Sequence, residues 1–252
     1  LQKIVYKANK HLTFTLNTQY STSSNINRYD QLTKYSGEDF KFAEWYYGPQ
    51  KRFLSALTTN IEKKTAWFDN ASIIASFQNI EESRVTRRFN NMNRISRIEQ
   101  VNVGALNLDF SKELFKNTRL YYGSEFTHND VKSIAKSSNI LTSTINTEST
   151  RYPDNGSTMT TGAIYGNLTQ TYDKFLWKFG NRLTVTSLEA NFKDTTYIQL
   201  PFEKISANTQ AFSSSLGMVY SPTENWNINA NFSSGFRTPN IDDFGKVFEN
   251  GD

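Results

Sequence analysis

Two stretches gather side chains able to hold a ligand. "FKFAEWYYGPQKR" (40–52) places Phe40, Phe42, Trp45, Tyr46 and Tyr47 beside Lys51 and Arg52. Aromatic faces stack on flat groups and attract cations, while the basic heads attract anions, so the stretch suits an aromatic or anionic ligand. The same rings could instead anchor their own loop or line an interface. "RVTRRFNNMNRISR" (84–97) carries Arg84, Arg87, Arg88, Arg94 and Arg97. This run could draw in an anionic chelate or a phosphate, or it could be neutralised by Glu81, Glu82 or Glu99. Its basic residues do not mark a nucleic-acid binder. The chain has 28 basic against 24 acidic residues, net +4, and they are scattered rather than gathered in one stripe.

Catalytic groupings are missing. The sequence contains no Gly-x-Ser-x-Gly elbow, no phosphate-binding loop and no zinc motif. It has two histidines, His11 and His128. His11 is expected in a short turn and His128 on the side of the long loops, which puts them at opposite rims and rules out a shared metal site or triad. His128 with Asp130 is the one local pair. No cysteine is present, so there are no disulfides or thiolate sites. The reading is a protein that is not an enzyme and needs no cofactor, with His128 kept as a ligand contact.

The elements that must position these groups are strands. Apolar residues make up only 37% of the chain, yet it holds 19 Phe, 13 Tyr and 4 Trp. A membrane β-barrel uses aromatics without a conventional core, with apolar side chains toward lipid and a polar lumen. No stretch of 18 apolar residues occurs, so no transmembrane helix is expected. Period-two alternation recurs instead. Leu12, Phe14 and Leu16 alternate with Thr13, Thr15 and Asn17. Leu106, Leu108 and Phe110 alternate with Asn107 and Asp109. Trp226, Ile228, Ala230 and Phe232 alternate with Asn227, Asn229, Asn231 and Ser233. Similar runs start near residues 71, 120, 175 and 212, with weaker ones at 1–6, 51–61 and 158–172, giving about ten strands.

Connectors sort into two kinds. Short ones fall at 7–10, 62–69, 111–117, 173–174 and 221–225, and mostly long polar ones at 21–50, 84–97, 129–157, 189–203 and from 237. They alternate, as in an up-and-down barrel with tight turns at one rim and long loops at the other. Aromatics near strand ends, among them Tyr6, Tyr20, Phe53, Trp67, Tyr121, Tyr122, Tyr172, Trp177, Tyr220 and Trp226, fit interfacial girdles. The loop 129–157, rich in Ser, Thr and Asn, suggests mobility and ligand capture. The fold class is all-β, an antiparallel up-and-down transmembrane barrel. Residues 1–252 read as part of one such domain, because "LQKIVYK" opens within a strand and "GKVFENGD" (245–252) closes in a loop.

"GFRTPNIDDFGKVFE" (235–249) resembles the box found late in the barrel of TonB-dependent outer-membrane receptors, through Phe236, Arg237, Pro239 and Asn240, with Thr238 in place of the usual Ala. The stretches 78–103 and 151–168 are also similar to these receptors. The resemblance implies a barrel of about 22 strands, a plug from the receptor's N-terminal part, and import driven through TonB. Plug, TonB-contacting segment and C-terminal strands all lie outside this chain. Expected partners are outer-membrane lipid, the plug, TonB through those other segments, and a small-molecule ligand on the extracellular side. That ligand would be an iron chelate, a cobalamin-like cofactor or haem, the last disfavoured because no His lies near the box. Arg237 and Asn240 are expected at a plug or ligand contact. A passive porin-like or adhesive barrel and a soluble β-sandwich are the alternatives.

Overall fold

The computed structural model describes residues 1–193, 196–197 and 199–244. The closing segment 245–252 lies outside them. The strands in chain order are β1 (Gln2–Asn9), β2 (Leu12–Thr22), β3 (Ile26–Asn27), β4 (Tyr35–Ser36), β5 (Asp39–Phe40), β6 (Phe42–Tyr47), β7 (Lys51–Glu62), β8 (Asn70–Arg88), β9 (Asn93–Phe115), β10 (Thr118–Asn139), β11 (Ile145–Thr147), β12 (Ser157–Tyr172), β13 (Phe175–Asn191), β14 (Lys204–Thr223) and β15 (Trp226–Ser233). Two one-turn helices, α1 (Tyr29–Leu32) and α2 (Ile241–Phe244), stand in the long connections.

Ten long strands follow one another in a single antiparallel sheet, in the order β1-β2-β7-β8-β9-β10-β12-β13-β14-β15. The short strands β3, β6 and β11 join its margin, and β4 pairs β5 separately. The register puts like with like. Leu16 faces Leu57, Leu57 faces Ala75, Ala75 faces Leu106, and Leu106 faces Phe126. One step along the strands, Ile164 faces Leu183 and Leu183 faces Phe212. These rows form one apolar face that stays exposed, with Phe126 at 50%, Ile164 at 61% and Phe232 at 78%. Its lower margin carries stacked rings. Phe175 lies 4.6 Å from Tyr220 and 6.1 Å from Trp177. Tyr121 is the exception among the expected girdle residues. Period two turns it to the polar face, opposite Ser111.

Tight turns at one end follow from local chemistry. Asn117 and Asp173 take positive φ of 65° and 50° between β9 and β10 and between β12 and β13, a conformation that Asn and Asp tolerate.

At the other end the structure corrects the sequence reading. Residues 84–97 are not one long connector: β8 runs to Arg88 and β9 starts at Asn93, which leaves only a short turn between them. The loop 129–157 is likewise largely ordered pairing, since β10 continues to Asn139 and β11 pairs back on it. β9 has 23 residues and β10 has 22, while about 9–11 cross a bilayer. Roughly half of each strand therefore stands beyond the apolar belt. There both faces meet polar surroundings, so the alternation that marks a strand fades.

The deepest burial also lies in this extension, on the polar face. Leu188 is 2% exposed, Ala190 0%, Glu99 3%, Ser133 4% and Ser157 2%. Segment 148–156 covers them. It is fixed by hydrogen bonds from Arg97 Nε to the Ser149 carbonyl (2.9 Å) and from the Asn155 amide to the Asn191 carbonyl (3.2 Å).

Candidate functional site

Strand alternation divides the binding candidates between two faces. Trp45 pairs with Thr86 and Tyr47 with Arg84, and Arg84 faces Arg97 on β9. All of these stand on the polar face. Arg28, just before α1, lies over Trp45 at 4.9 Å and over Tyr47 at 5.5 Å, and donates to Tyr47 Oη at 2.6 Å. Arg84 lies over the Tyr47 ring at 5.4 Å. The result is a compact cluster of two rings, meeting edge to face at 5.2 Å, and two guanidiniums: Trp45, Tyr47, Arg28 and Arg84. Asp30 accepts two bonds from Arg28, and this bidentate contact holds its carboxyl far below the usual range. Arg84 Nε is buried without a hydrogen-bond acceptor. Such a surface stacks flat groups and attracts negative charge.

The alternate residues go to the opposite face. Glu44 binds Arg87 at 2.8 Å and Arg94 at 2.7 Å. The hydrogen bond from Arg94, and then that from Arg87, lowers the Glu44 carboxyl below its ordinary value despite partial burial. Tyr46 pairs with Val85 on this side too. Arg88 falls on the polar face near the tip of its hairpin, opposite Phe42. The five-arginine run is thus not one patch. Period two sends Arg84, Arg88 and Arg97 one way and Arg87 and Arg94 the other.

His128 joins neither group. It sits within β10 between Gly104 and Thr160, on the apolar side, and its Nδ1 meets Thr160 Oγ1 at 2.8 Å. His11 lies in the turn between β1 and β2, with Nδ1 2.6 Å from the Glu62 carbonyl. Among the described residues no group of three His, Cys, Asp or Glu gathers to hold a metal.

Arg237 and Asn240 build their own turn. Arg237 Nη2 contacts both Asp243 oxygens, at 2.6 and 2.8 Å, and Asn240 Oδ1 accepts the amide hydrogen bonds of Asp242 and Asp243 at the start of α2. Tyr152 donates to Asp242 at 2.6 Å; burial, then this bond, pushes its hydroxyl up to about 12. The segment carrying the box is thereby tied to the strap 148–156.

Farther down, the polar face holds a wall cluster that sequence reading missed. Tyr165 donates to Asp109, and Arg182 donates to Glu125 while lying 5.4 Å over the Tyr165 ring. Glu44, Arg28 and Arg151 were missed as well. Their partners lie far away in sequence, and only register brings them together.

An apolar outer belt, aromatics at its margin and a polar inner wall define a transmembrane β-barrel of the outer-membrane type. The family model described as "TonB dependent receptor-like, beta-barrel" matches residues 4–251, and the chain belongs to that family. Its location is the outer membrane of a Gram-negative bacterium. The family comprises transport receptors rather than enzymes.

Solved structures agree on the fold. The copper transporter OprC superposes with a TM-score of 0.71 at 9% identity, over 94% of this chain and 36% of that one. The ferric citrate transporter FecA in its unliganded form gives 0.65 at 13%, over 91% and 34%. The FrpB iron transporter from Neisseria meningitidis, F5-1 variant, gives 0.65 at 11%, over 94% and 36%. The chain therefore spans about a third of the length of each. No curated protein matches the sequence.

Proposed function

We propose that this chain forms part of the wall and the extracellular mouth of a receptor that imports a scarce nutrient with energy from TonB. The nutrient is an iron chelate, a cobalamin-like cofactor or a haem-like ligand. The similar structures are named as transporters of copper, ferric citrate and iron, which supports a metal-bearing cargo. The chain acts by binding and passage and not by catalysis. Its own plug and the TonB-contacting segment belong to parts of the receptor outside these residues.

The observation that carries this reading is the cluster of Trp45, Tyr47, Arg28 and Arg84 on the inner face above the belt. Trp45, Tyr47 and Arg84 are the proposed ligand contacts. Arg88 extends this inner surface toward the tip. Tyr46 and Arg87 support it from the outer side. Arg237 and Asn240 shape the turn that meets the strap, where the plug or ligand would approach. His128 makes its contact at the lipid-side margin, apart from this cluster.

The test is uptake by cells carrying the intact receptor, using ferric siderophores, ferric citrate and cobalamin as probes. Accumulation of one of them that stops when TonB is deleted is the expected result. Accumulation unaffected by TonB, together with steady ion conductance in planar bilayers, would identify a passive porin instead.

A further inference from the structure

The inner wall under the strap carries an unusual charge arrangement. Glu82 of β8 directly faces Glu99 of β9, and at the next inward position Arg84 directly faces Arg97. Like charges opposite each other across an antiparallel pair repel. Glu99 is 3% exposed, and neither of its carboxylate oxygens accepts a hydrogen bond. An uncompensated carboxylate at such depth is strongly unfavourable.

Compensation comes from a distant part of the chain. Arg151, whose side chain is 11% exposed, brings Nη1 to 3.5 Å from Glu99 and 3.8 Å from Glu82. Both distances exceed hydrogen-bond length for a guanidinium, and Nη1 makes no hydrogen bond of its own. Arg151 therefore acts on the acidic pair by charge alone. Its position is set from the strap side, where its guanidinium lies 5.1 Å over the Tyr152 ring.

Hydrogen bonds hold the strap at both ends: Arg97 Nε donates to the Ser149 carbonyl (2.9 Å), the Asn155 amide to the Asn191 carbonyl (3.2 Å), the Asn191 amide to the Gly156 carbonyl (3.0 Å) and the Lys193 amide to Asp154 Oδ1 (3.0 Å). The Tyr152 amide reaches Ser133 Oγ at 3.4 Å, and Tyr152 Oη reaches Asp242 at 2.6 Å. Gly156, with φ of +85°, turns the chain at the strap's end in a conformation that side-chain-bearing residues rarely adopt.

We propose that residues 148–156 are a strap latched onto the inner wall of the mouth by Arg151, whose charge offsets the facing carboxylates Glu82 and Glu99. Withdrawing that charge frees the middle of the strap, between the bonds at Ser149 and Asn155, and uncovers the wall behind it. The latch sits at the mouth of the proposed import path. Its test reads the strap and not transport, so the two readings fail separately.

Ser133 lies beneath the strap, 4% exposed, and the chain contains no cysteine. Ser133→Cys in the intact receptor, with cells treated with a membrane-impermeant maleimide, reports whether the strap is closed. Labelling should be slow in the parent and rise about tenfold in Arg151→Met, which keeps the stem and loses the charge; tenfold corresponds to about 1.4 kcal/mol in an opening equilibrium. Arg151→Lys should keep the protection. Should Arg151→Met fail to reach the membrane, Glu99→Gln takes its place, with the same rise expected. Unchanged labelling in the neutral variant that inserts, or fast labelling already in the parent, would overturn the proposal.

Discussion

Tyr165 of β12 reaches across β10 at Gly123 to donate its hydroxyl to Asp109 of β9. A Cβ built on Gly123 would stand 2.7 Å from Tyr165 Oη and 2.8 Å from its Cζ, and closer still to the Leu108 carbonyl. The missing side chain is thus what lets the ring lie flat along the wall, under the Arg182 guanidinium. Gly123→Ala should displace the ring and strain the β9–β10 pairing, costing about 1–3 kcal/mol as overpacking does. The midpoint of urea unfolding in lipid vesicles checks this. Tyr165→Phe should cost less, because the ring and its contact with Arg182 remain.

Neighbouring residues on one strand should respond oppositely to the same charge. Leu108 belongs to the apolar rows, between Ile73 and Ser124, whereas Asn107 faces Glu125 on the polar wall. Leu108→Arg should destabilise the inserted barrel by about 2–4 kcal/mol, the cost of a cation near the middle of the bilayer. Asn107→Arg gains a carboxylate partner and should fold normally. Folding yield into lipid vesicles separates the two.

Acid should loosen the contact of Glu44 with Arg87 and Arg94 on the outer side. The Glu44 carboxyl is lowered below 4.5 by Arg94 and Arg87. A carboxyl depressed in the folded state contributes stability above its ordinary pKa, and that contribution fades as pH falls through the depressed value. Cleavage of the 28–47 segment by an acid-active protease should therefore rise as pH drops below about 4.5. Glu44→Gln should show the faster cleavage already at neutral pH.

The barrel wall was legible in the sequence wherever one face meets lipid. Trp226, Ile228, Ala230 and Phe232 alternate with asparagine and serine because lipid and polar lumen demand opposite chemistry, and β15 forms there as expected. The same rule explains the failure at 84–97 and 129–139. These strand ends stand above the belt, where Arg87 and Arg94 meet Glu44 on the outer side and Arg97 meets Ser149 on the inner side. With polar partners on both sides, the pattern no longer marks a strand. The aromatic and arginine candidates were visible as residue types. Their sorting by face was not, because it depends on pairing Tyr47 with Arg84 across 37 positions of sequence. Period two within 84–97 carried part of the signal, since Arg84 and Arg87 stand an odd number of residues apart.

Capture of a ligand at the mouth tests the account most directly. The probe is whichever ferric chelate or corrinoid the intact receptor takes up, and the measurement is its dissociation constant on whole cells without TonB. Tyr47→Ala and Arg84→Ala remove a ring and a guanidinium of the inner cluster and should weaken capture about tenfold or more, the effect of losing about 1.4 kcal/mol or more. Tyr46→Ala and His128→Ala, on the outer face, should leave it near the parental value. Equal capture by all four variants, or a loss confined to the outer pair, would contradict the assignment of this chain's inner face to ligand binding.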